Sequence, residues 1–146
     1  MPLPYVIEAT QRVAVVTLSG RVTGADLAQA MQSIYADPAW HSGFNIIWDG
    51  LQITELIFER PDLADLIALQ RSSSERAGAG RDVIVTTRVI DEMMANMYVT
   101  LVKHVRATSV ASSMGEALAV LHHHDEMTAR GATRYQPDRP ARSSAE

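Results

Sequence analysis

The residues best suited to metal chemistry form the run His122-His123-His124-Asp125-Glu126. On a helix, His122, Asp125 and Glu126 lie three and four residues apart and share one face, a geometry that zinc can use. Catalytic zinc sites generally take three protein ligands, commonly with more than one histidine, and the sequence does not show where a second would converge. We therefore predict that His122 flanks an apolar stripe at a helix end and that the run holds no functional metal.

Residues for nucleophilic or phosphate-binding chemistry lack the required context. The Ser72-Ser73-Ser74 run falls at the polar end of a predicted helix, and the chain contains no G-x-S-x-G elbow. No G-x-x-x-x-G-K-[ST] loop occurs, and Lys103 is the only lysine. The segment Gly78-Ala79-Gly80 precedes a predicted strand, whereas a dinucleotide-binding loop follows a strand and opens a helix. The sequence thus predicts a non-enzymatic protein without a cofactor.

Side chains suited to recognition follow two predicted parallel strands. In open α/β sheets, ligands bind outside the carboxyl ends of such strands. The residues that we predict as recognition groups at these ends are Asp49, Glu55, Phe58, Glu59, Thr86 and Arg88. Asp49 and Thr86 would form hydrogen bonds, and the charged residues would recognise charge. Glu55 and Glu59 could also act as an acid–base pair, but an exposed acidic loop is the commoner interpretation.

The segment between Asp49 and Arg60 is predicted to be a loop with more apolar residues than a simple connection needs. These residues are Leu51, Ile53, Leu56, Ile57 and Phe58. Their side chains could cover the core, pair a homodimer, or line a lipid-sized pocket. The sequence leaves these three alternatives open.

The elements that position these residues follow the order ββαβαβαβα. The segments Tyr5–Thr10 and Arg12–Ser19 alternate as strands do, and their short connection predicts an antiparallel hairpin. Repeated β-α-β units then require right-handed crossovers and a largely parallel sheet. We predict a single α/β domain, with helices packed on a mostly parallel sheet that has one antiparallel edge strand.

Helix boundaries are indicated by capping residues. Thr23 with Asp26, and Ser113 with Glu116, have the spacing of capping boxes. Pro61 fits the first turn of another helix. A further helix is predicted from Ile90 to Val105, with Met93, Met94 and Met97 in a broad apolar stripe that also contains Ile90, Tyr98, Leu101 and Val102. Helical spacing favours a core role for the three methionines, and a ligand-lining role is the alternative.

This order, together with local strings, resembles the STAS-like fold of anti-sigma-factor antagonists, and more closely the bacterial SpoIIAA-like family. The strings are Val16-Thr17-Leu18-Ser19-Gly20-Arg21-Val22-Thr23, Ile46-Ile47-Trp48-Asp49, and Ala107-Thr108-Ser109-Val110-Ala111-Ser112-Ser113 before Glu116-Ala117-Leu118. The resemblance covers roughly residues 5 to 125. It implies a regulatory, protein-interacting domain, and the fold is also compared with the Sec14 lipid-transfer domain.

One departure from that family concerns its phosphorylation site. The antagonists carry an Asp-Ser-Ser-Gly-like turn before the second helix, where a kinase phosphorylates a serine. Here the corresponding stretch is Phe58-Glu59-Arg60-Pro61, which has no hydroxyl group, and Thr54 lies several residues earlier. The phosphoswitch and the sigma-factor pathway are therefore not implied, whereas the fold and the position of the interaction surface are.

Composition bounds the class of protein. Of 146 residues, 47% are hydrophobic and 21% are charged, as in an ordinary globular domain. The absence of cysteine excludes disulfides, thiolate metal sites and a cysteine nucleophile. The N-terminus has no features of a secretory signal, and no apolar run reaches the roughly 20 residues that span a bilayer. We therefore predict a cytoplasmic protein without a membrane span.

Charge differs between the body and the C-terminus. Residues 130–146 contain four arginines, two acidic residues and two prolines, which predicts a basic, disordered tail after a domain at 1–129. The domain holds nine basic and fifteen acidic residues. This acidic body argues against nucleic-acid binding, because phosphate contacts need clustered Lys and Arg.

Two functions remain open. The leading prediction is a protein-interaction module, either with another protein or as a homodimer, that uses the segment after Asp49 and the second helix as its interface. The alternative is a binder of a lipid or another small apolar molecule that occupies the space under the same segment.

Overall fold

The computed structural model describes residues 2–134. The strands are β1 Tyr5–Glu8, β2 Val13–Thr23, β3 Asn45–Ile57, β4 Arg81–Val85 and β5 Ala107–Ala111. The helices are α1 Gly24–Ala36, α2 Arg60–Ser72, α3 Ser74–Ala77, α4 Val89–Val102 and α5 Met114–Arg134, and a 3-10 turn at Ala9–Gln11 joins β1 to β2. The predicted order is confirmed, with the short α3 as an addition.

The five strands form one sheet in sequence order, β1-β2-β3-β4-β5. β1 is antiparallel to β2, while β2–β3, β3–β4 and β4–β5 are parallel pairs. These directions confirm the predicted, mostly parallel sheet with one antiparallel edge strand. Because the sheet grows in one direction through right-handed crossovers, its crossover helices lie on one face.

Both faces of the sheet are covered by helices. On one face, Val16, Ile46 and Trp48 pack with buried residues of α1, α2 and α4. On the other face, Ile47 and Val83 pack with Ala117 and Leu121 of α5. Alternate residues of each central strand thus enter different cores, which is why these strands are apolar almost throughout.

The segment predicted as a loop after Asp49 is the second half of β3, so the loop prediction is wrong. Residues 52–57 pair with residues 19–23 of β2 in a two-stranded extension beyond the rest of the sheet. Gly20, with φ of 67°, lies between register shifts in this ladder, where a left-handed residue admits the bulge. Asp49-Gly50 suggested a turn, but a Cβ at residue 50 would lie 2.8 Å from the Val85 carbonyl oxygen, so glycine permits close strand packing instead.

The orientation of α4 also corrects a prediction. Its buried side chains are Asp91, Ala95, Tyr98 and Val102. Met93 and Met97, expected in the core, are 64% and 46% exposed, and Ile90 and Leu101 are exposed with them. Apolar residues occur on both sides of this helix, so periodicity did not identify the inner face, and the only carboxylate on the inner face is Asp91.

A buried polar network ties α2, β3 and the connection between α4 and β5 to Asp82 on β4. The Arg106 Nε donates to Oδ1 of Asp82 at 2.8 Å, with both side chains 2% exposed. The other carboxylate oxygen of Asp82 accepts from Gln70 Nε2 at 3.2 Å and from Trp48 Nε1 at 3.4 Å. Arg106 also donates to the carbonyl oxygens of Phe44 and Gly78. The two opposite charges are thus paired and bonded, as burial requires.

The predicted helix starts are supported by hydrogen bonds. The N–H of Asp26 donates to Thr23 Oγ1 at 3.1 Å, and the N–H of Thr23 donates back to Asp26 Oδ2 at 3.0 Å. At the start of α5, the N–H of Glu116 donates to Ser113 Oγ at 3.0 Å, but the Glu116 carboxylate accepts from Ser112. The first box is complete, and the second is displaced by one residue.

The C-terminal helix extends to Arg134, past the predicted domain boundary at residue 129. Residues 135–146, the greater part of the predicted basic tail, lie outside the described residues. Within residues 2–134, no helix combines the length and hydropathy needed to cross a membrane.

Candidate functional site

A cavity of about 100 Å³ lies at the carboxyl ends of β3 and β4, on the face of the sheet that carries α1, α2 and α4. It is partly open to the surface. Its lining residues are Leu18, Leu27, Met31, Trp48, Gly50, Ile53, Leu56, Phe58, Leu66, Ile84, Val85, Thr86, Asp91, Met94, Ala95 and Tyr98. The cavity therefore occupies the edge of the sheet where parallel α/β folds usually bind ligands.

The cavity wall is formed mainly by apolar side chains from separate elements. The extension of β3 contributes Ile53 and Leu56, and Phe58 follows it in the connection to α2. Trp48 lies on β3 within the main sheet, and its indole N–H is already bonded to Asp82. The strand extension that the sequence analysis missed is thus what brings three large side chains to the cavity.

Three polar side chains in this wall have buried atoms without a hydrogen-bond partner. They are Thr86 Oγ1, both carboxylate oxygens of Asp91, and the Tyr98 hydroxyl. Thr86 and Asp91 are each 4% exposed, and Tyr98 is 9% exposed. Buried polar groups are normally bonded, and leaving one unpaired costs about 1–3 kcal/mol. The Thr86 hydroxyl and the Asp91 carboxylate are therefore available to a ligand.

The nearest charge to Asp91 belongs to Arg88. The Arg88 Nε lies 3.5 Å from Asp91 Oδ2, while an Nη of Arg88 donates to the Ile53 carbonyl oxygen at 3.2 Å. The Arg88 side chain is 38% exposed. Arg88 thus connects the start of α4 to the β3 extension and offsets part of the Asp91 charge without bonding to it.

Burial, reinforced by the negative charge of Asp82, raises the pKa of Tyr98 above its ordinary value. Gln70 and Arg106 act on the same hydroxyl in the opposite direction, so the Tyr98 hydroxyl lies beside the buried polar network around Asp82.

The six residues predicted as recognition groups separate into two sets. Phe58 and Thr86 line the cavity, and Arg88 lies at its margin through Ile53 and Asp91. The structure does not bring Asp49, Glu55 and Glu59 to the wall.

The three residues outside the wall have local contacts. A carboxylate oxygen of Asp49 accepts from the N–H of Leu51, and exposed Glu55 lies 3.9 Å from exposed Arg21. Glu59 precedes α2, where its N–H donates to the Asp62 carboxylate. The Asp49 contact thus lies within β3, the Glu55 contact joins β3 to β2, the Glu59 contact caps α2, and the three do not converge on one ligand position.

Sequence reasoning missed Asp91 as a site residue. An acidic residue in the first turn of a helix is common, because it favours the positive end of the helix dipole, so its type gave no signal of burial. Tyr98 and Met94 were placed in the apolar stripe, but only the observed rotation of α4 shows that they line the cavity. The usable signal was their spacing from Asp91, three residues for Met94 and seven for Tyr98.

The side chains of the run from His122 to Glu126 make separate contacts with different parts of the protein. His122 Nε2 lies 3.8 Å from Glu126 at the surface, whereas Asp125 accepts from the Asn45 amide at 3.3 Å. His124 Nδ1 accepts from Arg81 Nε at 3.3 Å, and its Nε2 lies 3.2 Å from the Ala79 carbonyl oxygen. Among residues 2–134, no three metal-ligating side chains are grouped to hold an ion.

A second surface is the outer face of α4, which we define by the exposed side chains of Val89, Ile90, Met93, Met97 and Leu101. The last four recur at three- or four-residue intervals and so form one stripe. Exposed Glu92 lies near the start of this stripe, and exposed Lys103 lies just beyond its end.

No protein-family model matches the chain, and no curated protein matches it. A solved structure does: the crystal structure of an uncharacterized protein of the DUF3478 family with a SpoIIAA-like fold, from Shewanella loihica PV-4. The two chains are 13% identical with a TM-score of 0.56, and the match covers 82% of this chain and 94% of that one. This likeness confirms the SpoIIAA-like fold that the sequence predicted.

Proposed function

We propose that this chain is a non-catalytic protein that binds a small apolar ligand in the cavity at the carboxyl ends of β3 and β4. The observation that carries the proposal is an apolar cavity with unpartnered polar atoms in its wall. An engineered cavity of about 150 Å³ admits benzene, so a space of about 100 Å³ that opens to the surface suits a single ring or a short alkyl chain.

The packing of the β3 extension favours a ligand cavity over a protein interface at this segment. Ile53 is buried, and Leu56 and Phe58 are partly buried against the core, so these side chains are committed to the cavity. Leu51, with 41% exposure, and partly buried Ile57 are the large apolar residues of the segment outside the cavity wall. Two such side chains offer too little surface for a docking site.

A binding role is also favoured by the chemistry of the wall. Among the described lining residues the ionisable groups are Asp91 and Tyr98, with no imidazole or amine beside them. A lone carboxylate and a phenol can orient a ligand, but a hydrolytic or group-transfer mechanism would need a further nucleophile or base. We propose a cytoplasmic protein that uses no cofactor and no nucleic-acid partner.

The test is binding of toluene, the smallest convenient probe of an apolar cavity. A ligand that binds only the folded state raises the midpoint of thermal unfolding of the protein. The rise is about 3–6 °C when the ligand concentration is ten times Kd. We expect this rise in the unmodified chain. Ala95→Leu extends a side chain into the cavity and should abolish the rise.

The matched control is Ala68→Leu, which makes the same change on an exposed position of α2 and should keep the rise. A midpoint that toluene does not move in the unmodified chain would contradict the proposal. An equal rise in Ala95→Leu would place toluene elsewhere and would contradict it as well.

A second candidate function, self-association, is favoured by the outer face of α4. Five large apolar side chains exposed on one helix exceed the scattered surface hydrophobes of a monomer. We propose a second copy of this chain as the occupant. Two-fold symmetry makes the contact self-complementary, so that residue i meets j and j meets i.

The residue spacing fits an antiparallel pairing of two α4 helices centred on Met97. Met93 and Leu101 each lie four residues from Met97, so they would oppose each other across the axis. Ile90, Met93, Met97 and Leu101 thus form one exposed apolar stripe that can pair with its own copy.

A further inference from the structure

We infer that the ligand of the cavity is a primary amine attached to a small apolar body, and that Asp91 and Thr86 receive its ammonium group. The inference rests on the proposed apolar-ligand function and adds the head group. Asp91 and Thr86 are both more than nine-tenths buried, line the cavity, and have side-chain oxygens without a hydrogen-bond partner.

The count of donors and acceptors favours an ammonium group. Asp91 and Thr86 offer three unpartnered acceptor oxygens, two of them in a carboxylate. An ammonium group has three N–H donors and no acceptor, so it can satisfy both carboxylate oxygens and the threonine hydroxyl together. A hydroxyl head group has one donor, and a methyl group has none.

Charge also favours an ammonium head group over a hydroxyl or a methyl group. Taking a carboxylate out of water is costly unless an opposite charge bonds to it, and charge-assisted hydrogen bonds are about twice as strong as neutral ones. Arg88 lies 3.5 Å away without hydrogen-bonding geometry, and its side chain is 38% exposed to the screening solvent. The lone pairs of Asp91 therefore remain open to a ligand cation, whereas a ligand carboxylate would meet a like charge.

The experiment compares three ligands with the same ring: toluene, benzyl alcohol and benzylamine. Calorimetric titration of the unmodified chain should give benzylamine a Kd about tenfold or more below that of toluene, with benzyl alcohol between them. Asp91→Asn should remove most of the benzylamine advantage and leave the Kd of toluene within about twofold. Thr86→Val, which keeps the side-chain shape without the hydroxyl, should remove part of it.

The control for charge alone is Glu92→Gln, which makes the same charge change one residue away on an exposed side chain. It should keep the full advantage of benzylamine. An equal loss in Glu92→Gln and Asp91→Asn would mean a long-range effect of charge and would overturn the inference. If Asp91→Asn does not fold, Thr86→Val decides, and an unchanged benzylamine advantage there overturns the inference.

The two proposals fail in different ways. Toluene binding that benzylamine does not improve would overturn the amine inference and leave the apolar-ligand function in place. If no member of the series binds, the proposed function itself is contradicted.

Discussion

Arg88 and Asp91 face each other across the first turn of α4, with 3.5 Å between Arg88 Nε and Asp91 Oδ2, yet the carboxylate is 4% exposed and the guanidinium side chain 38%. The second buried aspartate, Asp82, is bonded by Arg106, Gln70 and Trp48. The fold thus contains one aspartate whose bonds are complete and one whose bonds are left open beside a cavity. We assign the first to stability and the second to binding.

The contrast between these aspartates predicts unequal costs of removal. Asp82→Ala should lower the free energy of unfolding by about 3–5 kcal/mol, because it leaves the Arg106 charge buried without its partner. Asp91→Ala should change it by less than about 1 kcal/mol, because an unbonded carboxylate contributes little. Urea denaturation measures both. Equal losses would show that Asp91 is a structural residue.

The Arg88 side chain should matter more than an exposed arginine. We expect Arg88→Ala to lower the free energy of unfolding by about 1–2 kcal/mol, because the Asp91 carboxylate then has no nearby cation. Arg21, which lies 3.9 Å from Glu55 with both side chains exposed, is the matched control, and Arg21→Ala should cost under about 0.5 kcal/mol. Urea denaturation is again the measurement. If the cost of Arg88→Ala comes from the unpaired Asp91 carboxylate, then removing Asp91 as well should not lower stability further. A double variant Arg88→Ala/Asp91→Ala that is less stable than Arg88→Ala would refute the pairing of Arg88 with Asp91.

Self-association through the outer face of α4 should be sensitive to charge at its centre. Met97→Asp buries a carboxylate at the proposed two-fold axis and should convert a dimer to a monomer in sedimentation velocity and native mass spectrometry. Leu118→Asp makes a similar change at a 51% exposed position of α5 and should leave the dimer intact. A monomeric unmodified chain at high concentration would rule out this candidate function.

Two buried tyrosines predict how stability depends on alkaline pH. Burial, together with the charge of Asp82, raises the pKa of Tyr35 and of Tyr98. Above about pH 10 the tyrosines of the unfolded chain ionise while the folded ones stay protonated, so the unfolded state binds fewer protons and stability falls as pH rises. Below pH 10 these groups contribute no slope.

Urea denaturation between pH 8 and pH 11 measures this effect. Tyr35→Phe removes one of the two groups, so the free energy of unfolding should fall less steeply above pH 10 in the variant than in the unmodified chain. Parallel curves for the two proteins would show that Tyr35 ionises as readily when folded as when unfolded.

The order of elements could be predicted because each depends on local signals. Period-2 and helical apolar patterns, with the box formed by Thr23 and Asp26, predict the succession of strands and helices. The β3 extension could not be predicted, since Asp49-Gly50 has turn chemistry and the pairing with residues 19–23 of β2 is a long-range contact. Tertiary pairing decided the structure of that segment.

The site was harder to predict than the fold because it depends on side-chain direction. The carboxyl ends of β3 and β4 were predicted from topology, and Phe58, Thr86 and Arg88 do lie at or beside the cavity. Asp91 was missed because α4 has apolar residues on both sides, so only packing against β5 and α2 selects which side turns inward.

The most direct measurement of the central claim is an amide chemical-shift map of the chain titrated with toluene. A ligand in the cavity should shift the amide signals of Phe58, Thr86 and Ala95, which belong to three separate segments of its wall, and Ala95→Leu should abolish these shifts. If the shifts instead follow Met93 and Met97 on the outer face of α4, or if no signal moves at saturating toluene, the cavity is not a ligand site.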